Sequence, residues 1–159
     1  MKTIGLLLLF GLCTAIGMHI ATEKSARLHR VNGLIRDLQT LSDQITAGQR
    51  SLMRISEEES GELFDLLHRY LSLRSDSYSE SDAARLAIEN HACRTEAEPL
   101  CAFLCGLSSA SSDAIRQRID SLRDALRKAQ KEADETAKQA KTFRAIGVLI
   151  GAGVCILLL

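Results

Sequence analysis

Apolar residues in the first half of the chain recur at steps of three and four. From Glu23 onward this spacing predicts an amphipathic helix that ends at Gly48. A denser apolar group from Leu63 to Leu71 follows a capping-box pattern at Ser56 and Glu59, and predicts a central helix. The residues that we expect these two helices to place in a bundle core are Leu34, Leu38, Leu41, Leu63 and Leu67.

The second half of the chain predicts two short helices and one long one. Ser79 with Asp82 is a capping pattern, and Pro99 suits the first turn of a helix that stops at Gly106. A serine-rich turn then precedes a long charged helix over about 112–143. Its narrow apolar stripe gives the remaining core candidates, which are Ile115, Ile119, Leu122 and Leu126. The stretch 128–141 has no large apolar residue, so we expect a solvated stalk.

Both ends of the chain are apolar and almost free of charge. Ile4 to Ala21 carries only the titratable His19, and Ala145 to Leu159 carries no charge. We expect an N-terminal transmembrane anchor at 1–22, a helical bundle at 23–143 and a C-terminal transmembrane helix at 144–159 that continues the last bundle helix. The first segment also fits a cleaved signal peptide. Small residues suited to helix packing in these spans are Gly11, Ala15, Gly147, Gly151 and Gly153.

Basic residues follow the first apolar segment directly and precede the last one directly. They are Lys24, Arg27, Arg30, Lys138, Lys141 and Arg144. By the positive-inside rule the central domain is cytoplasmic and both termini point outward. Three cysteines in the middle, Cys93, Cys101 and Cys105, cannot all pair within one exported chain, which also favours a reducing compartment.

Composition agrees with an all-α fold. The chain has 159 residues, of which 4% are aromatic, one is proline and none is tryptophan, too few for a β-sandwich or barrel. Lysine plus arginine and aspartate plus glutamate number 20 each, so the formal net charge is zero. A balanced chain of this kind is not expected to bind nucleic acid.

Candidate chemistry is sparse. The common nucleotide-binding and hydrolase motifs are absent from the sequence, so we expect no catalytic residues, no cofactor, no small-molecule substrate and no enzymatic activity. His91, Cys93, Cys101 and Cys105 are four conceivable zinc ligands, but their spacing matches none of the usual paired-cysteine patterns. We therefore expect no metal site, and cysteines that pack as small apolar residues.

The order of these features resembles the stage III sporulation protein AB family of spore-forming bacteria. An N-terminal anchor precedes a helix from Arg30 to Ile45, and Cys105-Gly106 stands where the family tends to have Leu-Gly. Asp113 and Gln117 open the long charged helix, and the segment from Arg144 to Gly151 leads into an apolar tail. The longer serine-rich turn and the three central cysteines depart from the family pattern.

This resemblance implies a non-enzymatic platform or adaptor in a membrane. The bundle would be similar to the cytoplasmic domain of the type II secretion platform protein F and would face the mother-cell cytoplasm from the membrane around the forespore. The resemblance also implies membership of the channel complex between mother cell and forespore. The stage III sporulation protein AA ATPase would be the cytoplasmic partner, beside other components of that complex.

Two other classes of protein also fit the pattern. The first is a dimeric envelope coiled-coil protein, in which the seam from Ile115 to Leu126 joins two chains. The second is an exported helical surface protein with a cleaved signal and an anchor tail.

Overall fold

The computed structural model describes residues 2–48, 51–89, 96–107 and 110–158, with few of the side chains in 2–21 and 141–158. These residues contain helices and no strand, which confirms the predicted all-α class. The helices are α1 (Lys2–Thr46), α2 (Leu52–Glu58), α3 (Glu62–Ser75), α4 (Glu80–Glu89), α5 (Ala97–Leu104) and α6 (Ser112–Leu158).

Two compact units divide the chain. One unit is residues 30–129, and the other combines 1–29 with 130–159. Helix α1 runs without a break through the predicted boundary at residue 22, and α6 continues from the charged segment into the apolar end.

Most residues of the predicted membrane spans are described only by their backbone. Gly147, Gly151, Gly153 and Arg144 are in this group. Among the side chains that are described, no helix has an apolar stretch of the length that a membrane crossing requires. The two spans therefore stay predictions.

The core of the 30–129 unit takes large side chains from all six of its helices, and α4 contributes Ile88 together with three alanines. Neighbouring helices pack in chain order, α2 on α3, α3 on α4 and α4 on α5. Tyr70 and Phe64 are the largest fully buried side chains. The residues expected in the core from sequence are all buried: Leu34, Leu38, Leu41, Leu63, Leu67, Ile115, Ile119, Leu122 and Leu126. Each large apolar side chain buried in this way stabilises the fold by about 1.5–3 kcal/mol.

The seam on α6 is covered by the chain's own bundle. Ile119 and Leu122 are 1% and 2% exposed, and Leu126 is fully buried. A seam that already packs inside one chain has no free apolar surface with which to join a second copy. The burial of the seam within one chain does not support the coiled-coil dimer alternative.

The start of α3 differs from the prediction. The capping box at Ser56 and Glu59 is wrong, because Ser56 lies inside α2, where its hydroxyl donates to the carbonyl of Met53. Glu59 ends α2 and accepts a hydrogen bond from the Gln44 side chain of α1 at 3.0 Å. A break at 59–61 therefore separates α2 from α3, and the true N-cap of α3, Gly61, offers no side chain to its first turn.

Asp37 of α1 provides the missing cap. Its carboxylate accepts a hydrogen bond from the backbone amide of Leu63 at 3.1 Å, which satisfies one of the free donors at the start of α3. A Cβ at Gly61 would overlap that carboxylate, so the absence of a side chain at this position lets the two helices meet. Burial raises the pKa of Asp37 more than the Leu63 amide lowers it.

Three other features predicted at helix ends agree with the structure. The Ser79 hydroxyl accepts from the amide of Asp82 at 3.2 Å and caps α4. Pro99 lies in the first turn of α5. Gly48 follows the end of α1 with a φ of +74°, a left-handed conformation that glycine adopts without strain.

The predicted stalk on α6 is wrong in one respect. Lys138 and Asp134 form the expected kind of intrahelical ion pair at 2.7 Å, but Ala133 is fully buried and Ala140 is 6% exposed. These alanines are seven residues apart and therefore share a helix face. One face of the segment is therefore buried, and only the remaining faces are solvated. The small alanine side chains let another helix approach that face closely.

Candidate functional site

The turn after α5 is built around Gly106. This residue has a φ of +76°, and the amide of Leu107 donates back to the carbonyl of Leu104 at 3.1 Å. A left-handed residue reverses the chain at the end of a helix, and glycine does so without a steric penalty. Leu107 is thereby returned to the core, where it is 1% exposed.

Arg118 of α6 holds this turn. Its guanidinium donates to the carbonyl of Ala102 at 3.1 Å and also to the carbonyl of Cys105. These carbonyls belong to the last turn of α5 and to its C-cap, where the helix dipole places partial negative charge. One cationic side chain therefore satisfies two helix-end acceptors and joins α6 to the α5 turn.

The connection between α3 and α4 lies beside the same turn. Arg74 donates to the carbonyl of Tyr78 at 2.5 Å and lies 3.9 Å from a carboxylate oxygen of Glu80. A Cβ at Gly106 would be 2.8 Å from Arg118 and 3.7 Å from Glu80. Arg74, Glu80, Gly106 and Arg118 thus form one group at this end of the bundle, which we call the bracing cluster.

Two cysteines lie next to the bracing cluster. Cys101 and Cys105 are partly buried free thiols that pack against the core. Burial raises the pKa of Cys105, and the neighbouring Cys101 adds to the effect, so this thiol holds its proton more tightly than usual. His91 and Cys93 lie outside the described residues. Within the described set, no three histidine, cysteine or acidic side chains come together as a metal site.

The family-motif residues are not brought together as a set. Gly106 lies in the bracing cluster, whereas Asp113 and Gln117 lie on exposed faces near the start of α6. Asp113 is 3.9 Å from Arg116, and the carbonyl of Gln117 accepts from the Ser121 hydroxyl at 3.0 Å. Arg144 lies outside the described side chains.

Arg118 is the residue that sequence reasoning missed. The sequence contained one signal for its role. A short helix that ends in a glycine turn is followed by a basic residue near the start of α6, and cations stabilise helix C-termini.

Of the small residues expected to pack in the spans, Gly11 and Ala15 are exposed, and nothing lies within 4 Å of a Cβ built on Gly11.

The described residues define a small all-helical protein in which charged side chains hold helix ends and turns together. The chain belongs to the stage III sporulation protein AB family, whose family model matches residues 2–159. No curated protein and no solved structure matches it. The protein accordingly has a role in sporulation.

Proposed function

We propose that this protein is a non-enzymatic, membrane-anchored platform of the channel complex between mother cell and forespore. The observation that carries the proposal is the family match, which covers the chain from residue 2 to residue 159 and therefore both apolar ends as well as the bundle. The uncharged segments at 4–18 and 145–159 support an anchor at each end. The bundle is the part available to a partner.

The bundle supports a platform role through its rigidity. Most of its large apolar residues are used in its own core, and its turns are fixed by the bracing cluster and by Asp37. A prearranged surface of this kind binds without a large cost of ordering. The partner that we propose is a secretion-type ATPase, the stage III sporulation protein AA ATPase, on the cytoplasmic side of the mother-cell membrane.

Capture of the ATPase from sporulating cells tests the platform role. The full-length chain, tagged and extracted in mild detergent, is expected to retain the ATPase and other components of the stage III complex. A Leu126→Asp variant, which puts a charge into the core, is expected to lose the ATPase. If the wild-type chain retains other complex components but never the ATPase, the adaptor role is wrong.

Thiol labelling in whole cells tests the orientation. Cys101 and Cys105 are expected to react with a membrane-impermeant reagent only after the membrane is permeabilised and the protein unfolded. A Cys101→Ala/Cys105→Ala variant identifies the signal from these two residues. Labelling in intact cells would instead support the exported surface protein.

A further inference from the structure

A groove of about 520 Å³ runs between α4 and α5. Ile88, Ala97, Ala102 and the two thiols line it, so that its floor is mostly apolar. A second, smaller groove adjoins it along α4 and shares Arg85 with it. Tyr78, which is 45% exposed, lies in the second groove.

The rim of these two grooves is acidic. Asp82, Glu89 and Glu98 are exposed carboxylates on the lining, and Arg85 is the one cation among the described lining residues, which leaves a formal charge of −2. Asp82 accepts a hydrogen bond from the Ser79 hydroxyl at 2.6 Å, whereas among the described residues neither Glu89 nor Glu98 is engaged in an ion pair or a side-chain hydrogen bond. The carboxylates of Glu89 and Glu98 are therefore available to cations from outside the bundle.

The lining of the two grooves follows α4 from Asp82 to Glu89, which is about 10 Å along the helix axis. A docked helix of about two turns matches this length. An amphipathic helix places apolar residues at i, i+3, i+4 and i+7 into such a groove, and charges on its flanks meet the rim. Opposite charge on the two surfaces selects partner and register.

We propose that the groove between α4 and α5 receives a basic amphipathic helix from a partner protein. Apolar side chains of that helix lie over Ile88 and Cys101, and its lysines or arginines pair with Glu89 and Glu98. The inference deepens the proposed platform role, because it states the chemistry of the segment that docks. It does not depend on which protein carries that segment.

Site-specific photo-crosslinking in sporulating cells tests the proposal. Arg85 lines both grooves and is exposed, so it is replaced by p-benzoylphenylalanine in the full-length chain. Glu57, which is exposed on α2 and lines neither groove, carries the same group in a control chain. After irradiation, the crosslinked peptide is identified by mass spectrometry.

The expected product at position 85 is a peptide from another protein that has helical apolar spacing and a net positive charge. Combining the crosslinker with Glu89→Lys and Glu98→Lys is expected to reduce the yield about tenfold, because the rim then repels the partner. The matched control, Asp124→Lys with Glu132→Lys, changes the net charge equally on α6 and is expected to leave the yield unchanged.

Four outcomes would overturn the proposal. They are a crosslink within the same chain at residues 90–95, a crosslink to a second copy, a crosslink to an acidic or non-amphipathic peptide, and no product above the Glu57 control. If the double lysine variant does not fold, Glu89→Gln with Glu98→Gln replaces it. The crosslinking yield of this variant is then measured at low and high salt. A yield that changes with neither the substitutions nor the salt concentration contradicts the proposal. A crosslink to a basic helix of a protein other than the ATPase would support the groove as a docking site. The proposal that the ATPase is the partner would then rest on the capture experiment alone.

Discussion

At the scale of single residues, Asp37 stands out because it stabilises the start of a helix to which it does not belong. It accepts the Leu63 amide across 26 positions of sequence. Gly61, the local N-cap, has no side chain to do so. The stability of α3 therefore depends on a carboxylate of α1.

Removal of this carboxylate is expected to weaken the fold measurably. Asp37→Ala leaves the Leu63 amide without its acceptor, and the free energy of unfolding should fall by about 1 kcal/mol. Asp37→Asn keeps a carbonyl oxygen in place and should lose less. Urea unfolding of the full-length chain in mild detergent, followed by circular dichroism, measures both. Equal losses in the two variants would show that the hydrogen bond is not the source of the effect.

The pH dependence of stability should also report Asp37. Its pKa in the folded protein is raised above 3.8, chiefly by burial, so the folded state binds this proton more tightly than the unfolded chain does. The stability that comes from this tighter proton binding is therefore fully present below the unfolded pKa, and is lost as the pH rises through the folded pKa. Relative to wild type, Asp37→Asn should gain stability as the pH rises from about 3 to about 7. A difference that stays constant or changes in the opposite direction would contradict the raised pKa.

At the scale of elements, the turns between the helices are fixed by backbone geometry together with a few charges. The end of α3 has two stacked hydrogen bonds, from Tyr78 to the carbonyl of Leu73 and from Ser77 to that of Arg74, each 3.2 Å long. This pattern normally has glycine at the left-handed position, but here Ser77 occupies it with a φ of +70°. The turn therefore contains a strained serine.

Replacement of that serine is expected to stabilise the protein. Ser77→Gly removes the clash of a Cβ at positive φ and should raise the free energy of unfolding by about 0.5–1 kcal/mol. Ser75→Gly is the matched control, since Ser75 is helical and the same change there should destabilise. Thermal unfolding of both variants distinguishes relief of strain from a general effect of glycine.

The contact of Arg118 with α5 gives a second prediction at this scale. Arg118→Met should lower the free energy of unfolding by about 1–2 kcal/mol, because it leaves two helix-end carbonyls without their donor. Arg116→Met, on the exposed face of the same helix, should change it by less than about 0.5 kcal/mol. Similar losses in the two variants would mean that the turn does not depend on Arg118.

At the scale of the whole molecule, the all-α class and the helix spacing could be predicted because apolar periodicity depends on neighbours three and four positions away. The break between α2 and α3 could not, since the cap comes from Asp37 in another helix. The bracing cluster was missed for the same reason. Arg118 and Gly106 are adjacent only after α5 and α6 have packed.

Because the α6 seam is buried within one chain, a cavity made in it should lower stability to the same extent at every protein concentration. Leu122→Ala should cost about 2–5 kcal/mol, and the unfolding temperature of the variant should not depend on protein concentration. Melting curves are measured over about a hundredfold range of protein concentration. A dimer that dissociates on unfolding would melt at a higher temperature at the higher concentrations. A melting temperature that rises with concentration would restore the coiled-coil dimer.

The hydrogen bond between Asp37 and the Leu63 amide also links the folding of α3 to that of α1. An isolated helix as short as α3 is marginal in water, and the acceptor for its first turn lies on α1. The first turn of α3 gains this hydrogen bond only when α1 is present and packed against it. The start of α3 is therefore expected to be less stable in a fragment that lacks α1 than in the full chain.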